Sequence, residues 1–416
     1  MHAEALSDPS GAAATLSTEK HNNVLVLLTT SSAVAMFSLP WLTLAPNRLV
    51  SGQPLRLVSL LQAPWPLSAG VVIAAVVTLV GLSLSGPGRR TLWVMLAGVM
   101  GLLPVLCWLA GAQASVAAQT ASSAARASVG GGFWGLFGLL VLLMAELLQR
   151  LRLPPLLRGL SGLTTAALVG GLLYAGACDN LSIMKEFANR SDVFWSALVR
   201  HALIVAVSLG LTLVIGLPLG ALSHRQRAVR RALMPVLNVL QTIPSIALFG
   251  LLMAPLAWLG NAVPLLGQSG LSGVGLAPAV IALTLYGLLP VVRGVLTGLA
   301  EVPPGVLQAA RSMGLSGGQA LRWVAWPLAL PVLLAGVRTA AVQLVGLAAV
   351  AALIGSGGLG AIMFEGLFSA AQDVVLLAVL PIVGMGILVD GVFSTLARMT
   401  RLARVRALAT GARHPA

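Results

Sequence analysis

The chain has 416 residues, of which 58% are apolar and only 9% charged. Water-soluble domains carry about 25% charged residues, so this composition excludes one. A formal net charge of +14 would suit nucleic acid only if the arginines gathered on one folded surface, and they are instead dispersed along the chain.

Apolar runs of about 20 residues recur, each long enough as a helix to cross a hydrocarbon core about 30 Å thick. They lack the alternation of membrane strands. The predicted fold class is therefore all-α, a polytopic membrane protein of about ten transmembrane helices. In chain order the spans fall roughly at 23–45, 67–86, 92–112, 131–149, 159–177, 200–222, 232–256, 276–298, 328–355 and 374–397. The stretch 1–22 is polar and mixed in charge, and the run after it has no clear small-residue cleavage site, so no cleaved signal is expected.

Arg89, Arg90, Arg150, Arg152, Arg158, Arg225, Arg227, Arg230, Arg231, Arg311, Arg322, Arg398, Arg401, Arg404 and Arg406 fall in every second loop or at the C-terminus. The alternate loops hold only Arg48, Arg56, Arg126, Lys185 and Arg190. That is the positive-inside bias, and it predicts both termini in the cytoplasm. Trp41, Trp65, Trp108, Trp134, Trp195 and Trp258 near outer ends, with Trp93, Trp323 and Trp326 near inner ends, read as aromatic belts. Cys107 and Cys178 offer no metal spacing and no evident disulfide.

The most polar external segment is 178–199, with Asp179, Lys185, Glu186, Arg190 and Asp192, and a domain boundary is expected there. Before it, residues 1–190 form an N-terminal membrane region of about five helices, with an Ala/Ser/Gly-rich external loop at 111–132, and read as a lipid-facing scaffold. After it, 195–398 holds about five more spans, followed by a basic tail, 399–416.

Between the third and fourth spans of that second region lies a short polar-faced hairpin, 303–326. Pro304 suits the first turn of a helix. Val306, Ala310 and Met313 share a face, with Leu307 beside them. Gly314 can stop the helix in a left-handed conformation. Ser316 and Gln319 have capping-box spacing for a second start. The expectation is two short helices lying on the cytoplasmic face, the second ending at Pro327, where the next span opens. An ordinary connector would not need two capped helices, so the hairpin reads as a docking element.

Gln308-Ala309-Ala310, three residues, Gly314, nine residues, then Val324-Ala325-Trp326-Pro327 resembles the cytoplasmic loop signature of ABC importer permeases, Glu-Ala-Ala, three, Gly, nine, Ile-x-Leu-Pro. Gln308 replaces the Glu and removes its charge, and Trp326 replaces the Leu. The stretch 195–398 is similar to the type I importer core. Gln241-Thr242-Ile243-Pro244-Ser245-Ile246-Ala247 and Leu353-Ile354-Gly355-Ser356-Gly357-Gly358-Leu359-Gly360 resemble the permeases for glycine betaine, choline and related osmoprotectants.

The resemblance implies a transport subunit and not an enzyme. A separate ATPase would bind ATP and Mg and grip Gln308, Ala309, Ala310, Gly314 and Pro327 of the hairpin, with no cofactor in this chain. The chain itself has no Gly-x-x-x-x-Gly-Lys-Ser/Thr loop. An external binding protein would deliver substrate to the outer loops 257–275 and 356–372, and a second permease copy or paralogue would complete the pore. The setting is a bacterial inner membrane, and nucleic acid is not a partner.

Polar or helix-breaking groups at membrane depth are the path candidates: Gln241, Thr242, Pro244 and Ser245 in one span, then Tyr286 and Gln343. Pro244 either kinks its span or frees carbonyls toward the path. Tyr286 and Gln343 also suit interhelical hydrogen bonds. Gly355, Gly357, Gly358 and Gly360 make either an outer gate or a plain turn. Arg293, Arg338 and Asp390 are charges inside spans, which usually face the bundle interior in pairs. Arg293 and Asp390 lie at similar depth and are expected to form a structural lock or, second, a gate. Glu146 is the other carboxylate within a span, and Glu365 is expected in a loop. The competing readings are a permease for another small solute, such as an amino acid or a sulfonate, and then a secondary transporter. A membrane enzyme would need a His-rich cluster or nucleophile elbow, and His201 and His224 merely flank one span.

Overall fold

The structure, a computed structural model, describes residues 9–47, 52–62, 66–120, 125–263 and 273–411. Arg48, Trp65, the part of the external loop at 264–272 and the end of the basic tail lie outside the described residues. Among those described, nine helices are long and apolar enough to cross a membrane. The chain divides into two compact units, 1–189 and 190–416.

The first unit contains helices α1 (Pro9–Ser38), α2 (Pro66–Leu84), α3 (Arg89–Thr120), α4 (Gly131–Arg150), α5 (Pro155–Tyr174) and α6 (Ser182–Asn189). Leucines at 136, 140, 143 and 147 recur on one face of α4 and are buried against α1 and α3. Thr29 and Ser83 share a buried hydrogen bond of 2.8 Å between α1 and α2.

The unit also holds a three-stranded antiparallel sheet, which the all-helical reading did not include. Strands β1 (Leu42–Ala45), β2 (Gln53–Leu55) and β3 (Arg126–Val129) pair in the order β2-β1-β3. The expected first span, 23–45, therefore ends at Ser38. Four apolar strand residues directly after a helix extend its apolar run without showing a period of their own. Trp41 is buried, with its ring edge-on to Phe133 at 5.4 Å, and so belongs to the core and not to an aromatic belt. The Gly130 and Gly132 N–H groups donate to the Trp41 and Pro40 carbonyls, and a Cβ at Gly130 would sit 2.3 Å from the Pro40 oxygen. The loop expected at 111–132 is instead helical as far as Thr120.

The second unit comprises α7 (Ser191–Arg225), α8 (Arg227–Thr242), α9 (Ser245–Ala262), α10 (Leu276–Ala300), α11 (Pro304–Ser312), α12 (Trp326–Val350), α13 (Leu359–Phe368) and α14 (Gln372–Gly411). Helix α10 is the central element, buried over most of its length between α7 and α12. Small residues allow that approach. A Cβ on Gly294 would lie 3.0 Å from the Gly336 Cα, and one on Gly220 would lie 2.6 Å from the Val295 side chain. Lipid-embedded helices associate through such backbone proximity because hydrocarbon offers no hydrophobic drive between them.

The span expected at 232–256 is two helices. Ile243 is extended (φ −69°, ψ 126°) and Pro244 follows. Proline disfavours helical backbone in the residue before it and offers no N–H, so α8 ends and α9 begins. Glu365 lies on α13 and not in a loop, and its carboxylate accepts from Arg190 at 2.8 Å. His201 lies well inside α7, fully buried, with Nε2 3.1 Å from the Val345 carbonyl.

Candidate functional site

Three features of the second unit bear on function: the hairpin, the break between α8 and α9, and the glycine loop before α13.

In the hairpin, Pro304 occupies the first turn of α11 and Gly314 stops it with φ +84°. The Leu315 N–H donates to the Ala310 carbonyl at 3.2 Å and the Gly314 N–H to Arg311 at 2.9 Å, the paired bonds of a Schellman stop. Ser316 Oγ accepts from the Gln319 N–H, and Gln319 Oε1 accepts from the Ser316 N–H, completing a capping box. Both orphaned helix ends are thus satisfied within about ten residues, which stiffens the turn.

The second arm is not a separate short helix, as expected. From Gly317 it passes through a π-helical segment, Ala320–Ala325, straight into α12. The physical reason is Pro327 in the first turn of α12. Its ring would clash with the carbonyl four residues back, and the wider π turn, with the Trp326 N–H reaching the Leu321 carbonyl, relieves that clash without ending the helix. The hairpin is thereby continuous with a transmembrane helix. Ala310 is buried, and Leu307 and Leu321 pack against the buried apolar cluster to which Val295, Leu299 and Val302 belong. Val306 and Met313, expected on the same face as Ala310, are exposed, as are Gln308, Ala309 and Trp323.

At the broken helix, the Tyr286 hydroxyl donates to the Ile243 carbonyl at 2.6 Å, and Gln241 Nε2 donates to the Tyr286 carbonyl at 2.6 Å. Gln343 Nε2 donates to Gln241 Oε1 at 3.2 Å. One connected network therefore joins α8, α10 and α12 across the break. Thr242 is exposed, and its hydroxyl donates to the Val239 carbonyl. Pro244 is exposed and Ser245 half-buried at the start of α9.

In the glycine loop, Gly355, Gly357 and Gly358 all have φ between 76° and 80°. The Gly275 N–H donates to the Ile354 carbonyl at 2.7 Å, and Arg200 Nε donates to the Ser356 carbonyl at 2.7 Å. Gly360 packs so closely on α12 that a Cβ would lie 2.0 Å from the Ala349 oxygen. Arg200 escaped the sequence reading because it sits inside an apolar helical run with no local motif.

The charges within spans pair differently from the expectation. Arg293 Nη2 donates to Asn238 at 2.6 Å, and Asp390 is held by Arg338. Depth alone suggested Arg293 with Asp390, but α14 packs on α12, the helix carrying Arg338. Glu146 pairs with Arg150 one turn along α4, at 2.8 Å. Among the described residues no cluster of metal-ligating side chains occurs.

A polytopic helical protein with a capped hairpin rigidly joined to a spanning helix, and with a broken helix at membrane depth, has the form of a transport permease. Residues 212–402 match the family described as the binding-protein-dependent transport system inner membrane component, and residues 20–184 match the ABC transporter permease YehY, N-terminal domain. The osmoprotectant import permease protein OsmW of Salmonella typhimurium is 39% identical over 191 residues, covering 46% of this chain and 84% of the relative. The glycine betaine/carnitine/choline transport system permease protein OpuCB of Bacillus subtilis is 31% identical over 198 residues, covering 48% and 84%. In an inward-facing structure of the MetNI methionine ABC transporter, one chain is 24% identical, with 51% of this chain and 98% of that one covered, at a TM-score of 0.46. The chain belongs to the family of inner-membrane permease subunits of binding-protein-dependent ABC importers. It is a transport component and not an enzyme.

Proposed function

We propose that this permease moves a small osmoprotectant, such as glycine betaine, choline or a related quaternary amine, into the cytoplasm. The observation that carries the reading is the stretch of 191 residues 39% identical to an osmoprotectant import permease, which amounts to 84% of that relative. An ATPase subunit, holding ATP and Mg, seats the exposed Gln308, Ala309, Met313 and Trp323 surface. Because the hairpin runs unbroken into α12, a displacement of that surface becomes a displacement of the helix bearing Gln343 and Arg338. This is a two-state element biased from a distance.

Both termini lie in the cytoplasm on this reading, following the arginine distribution. The external binding protein faces the ends of α9 and α13. The path follows Gln241, Thr242, Pro244, Ser245, Tyr286 and Gln343, and the loop Gly355–Gly360 is the outer gate, fastened by Arg200. Two permease cores, identical or paralogous, enclose the pore. The 1–190 region is a separate membrane domain and 195–398 the permease domain. A quaternary amine donates no hydrogen bond and favours aromatic surfaces; aromatic residues are only 5% of this chain, so tight recognition belongs to the binding protein.

The test is ATP-dependent uptake of radiolabelled glycine betaine into proteoliposomes holding this chain, its ATPase and its binding protein. Uptake that requires ATP supports the reading. ATPase activity without betaine or choline uptake redirects the search to amino acids or sulfonates, and uptake without an ATPase would make the chain a secondary transporter.

A further inference from the structure

The first unit has a cleft of about 640 Å³ between β3 and α6, lined by Arg126, Leu173, Asp179, Met184, Lys185 and Phe187 among others. Small-solute sites fall in this range of size. The cleft lies at the end of the unit opposite Arg89, Arg90, Arg150, Arg152 and Arg158, to judge by the run of α3, α4 and α5. Arginines and lysines are sparse at that end, yet two of them converge here.

Their chemistry is incomplete. Arg126 Nε is buried with no hydrogen-bond partner. Lys185 Nζ donates at 3.4 Å to the carbonyl of Ala125, the residue before Arg126, which holds the ammonium beside the guanidinium strand. None of the ion pairs among the described residues includes Arg126, Lys185 or Asp179. Two like charges lining one cleft repel each other, and a ligand carboxylate placed between them removes that cost. Asp179 is exposed on the same cleft, and Phe187 and Met184 give it an apolar wall. A carboxylate and an aromatic edge are the groups a compact cation seeks.

We infer that this cleft binds a small zwitterion, its carboxylate on Arg126 and Lys185 and its cationic end toward Asp179 and Phe187. The site lies outside the permease core and needs neither ATP nor a partner chain. It goes beyond the transport reading, which supplies only the choice of probe.

The experiment is isothermal titration calorimetry on the purified full-length chain in detergent at low ionic strength, without ATPase or binding protein. The probes are glycine betaine, choline, acetate and phosphocholine. Saturable glycine betaine binding is expected in the millimolar range, with choline and acetate each about tenfold weaker because each satisfies one half of the site. Arg126→Gln and Lys185→Gln should each weaken glycine betaine about tenfold, and Asp179→Asn should weaken glycine betaine but not acetate. Absence of saturable glycine betaine binding overturns the inference. So does binding that both cation variants leave unchanged, which would place the ligand elsewhere, or tighter binding of phosphocholine, which would make the cleft a lipid-headgroup site. If a variant elutes aggregated, the order of the four probes on the unaltered chain still decides. Loss of uptake in proteoliposomes with binding intact would count against the transport reading alone.

Discussion

Arg338 on α12 grips Asp390 on α14 with two parallel bonds, Nε to Oδ1 at 2.5 Å and Nη2 to Oδ2 at 2.8 Å. The bidentate fork fixes the two helices in one register. Both side chains remain about two-fifths exposed in the single chain, and charges within spanning helices are costly unless paired in this way.

Breaking this pair from one side leaves a lone charge within the membrane. Arg338→Ala and Asp390→Ala should each destabilise the protein by about 2 kcal/mol, while the double variant loses less than their sum. Thermal unfolding in lipid nanodiscs measures the cycle. Additive losses would mean that the pair contributes no coupling.

Tyr286→Phe removes the hydroxyl that caps the Ile243 carbonyl at the helix break. A loss of about 1 kcal/mol is expected, with a larger fall in uptake, because the Ile243 carbonyl at the break loses its tie to α10 while the Gln241 bond to the backbone carbonyl of residue 286 is kept. Unchanged uptake would make the network purely structural.

Gly314→Val forces a branched side chain to φ +84°, at a cost of about 1–2 kcal/mol confined to the turn. Membrane insertion should persist, while ATP hydrolysis and uptake become uncoupled. Normal coupled uptake in that variant would remove the hairpin from energy transfer.

Arg200→Ala releases the Ser356 carbonyl, and the buried side chain at that position, replaced as Ser356→Cys to serve as a reporter, should then become accessible to a thiol reagent. Equal labelling rates with and without Arg200 would show that the loop is held by the Gly275 bond alone.

Burial first, and then the Asp179 charge, push the Cys178 thiol above its ordinary value. The thiolate is the reactive form, so little of it is present at pH 8 and native protein should resist iodoacetamide at Cys178. Asp179→Asn removes the lesser cause and should speed labelling only modestly, by mass spectrometry of the alkylated peptide.

Much of the helical fold was legible because apolar length is a local property. Runs such as 276–298 announce a span by themselves, and α10 occupies Leu276–Ala300. The hairpin was legible for the same reason: Pro304, Gly314, Ser316 and Gln319 act on their own backbone within a few residues. The errors arose where a local signal was too short or was shared by two outcomes. The sheet strands are three or four residues long, too few for alternation to register, and Pro244 suits a kink as well as a full break.

The membrane class, the approximate spans, the capped hairpin and its family pattern can all be read along the chain, since composition, apolar length and capping chemistry are local properties. The pairings emerge only once the helices are packed: Arg338 and not Arg293 with Asp390, Tyr286 with the Ile243 carbonyl, Arg200 with the glycine loop, and Arg126 and Lys185 lining one cleft. Such partners are set by helix packing angles and glycine contacts between segments up to more than a hundred residues apart. A charge reveals its depth in the sequence, but its partner depends on which helix comes to lie beside it.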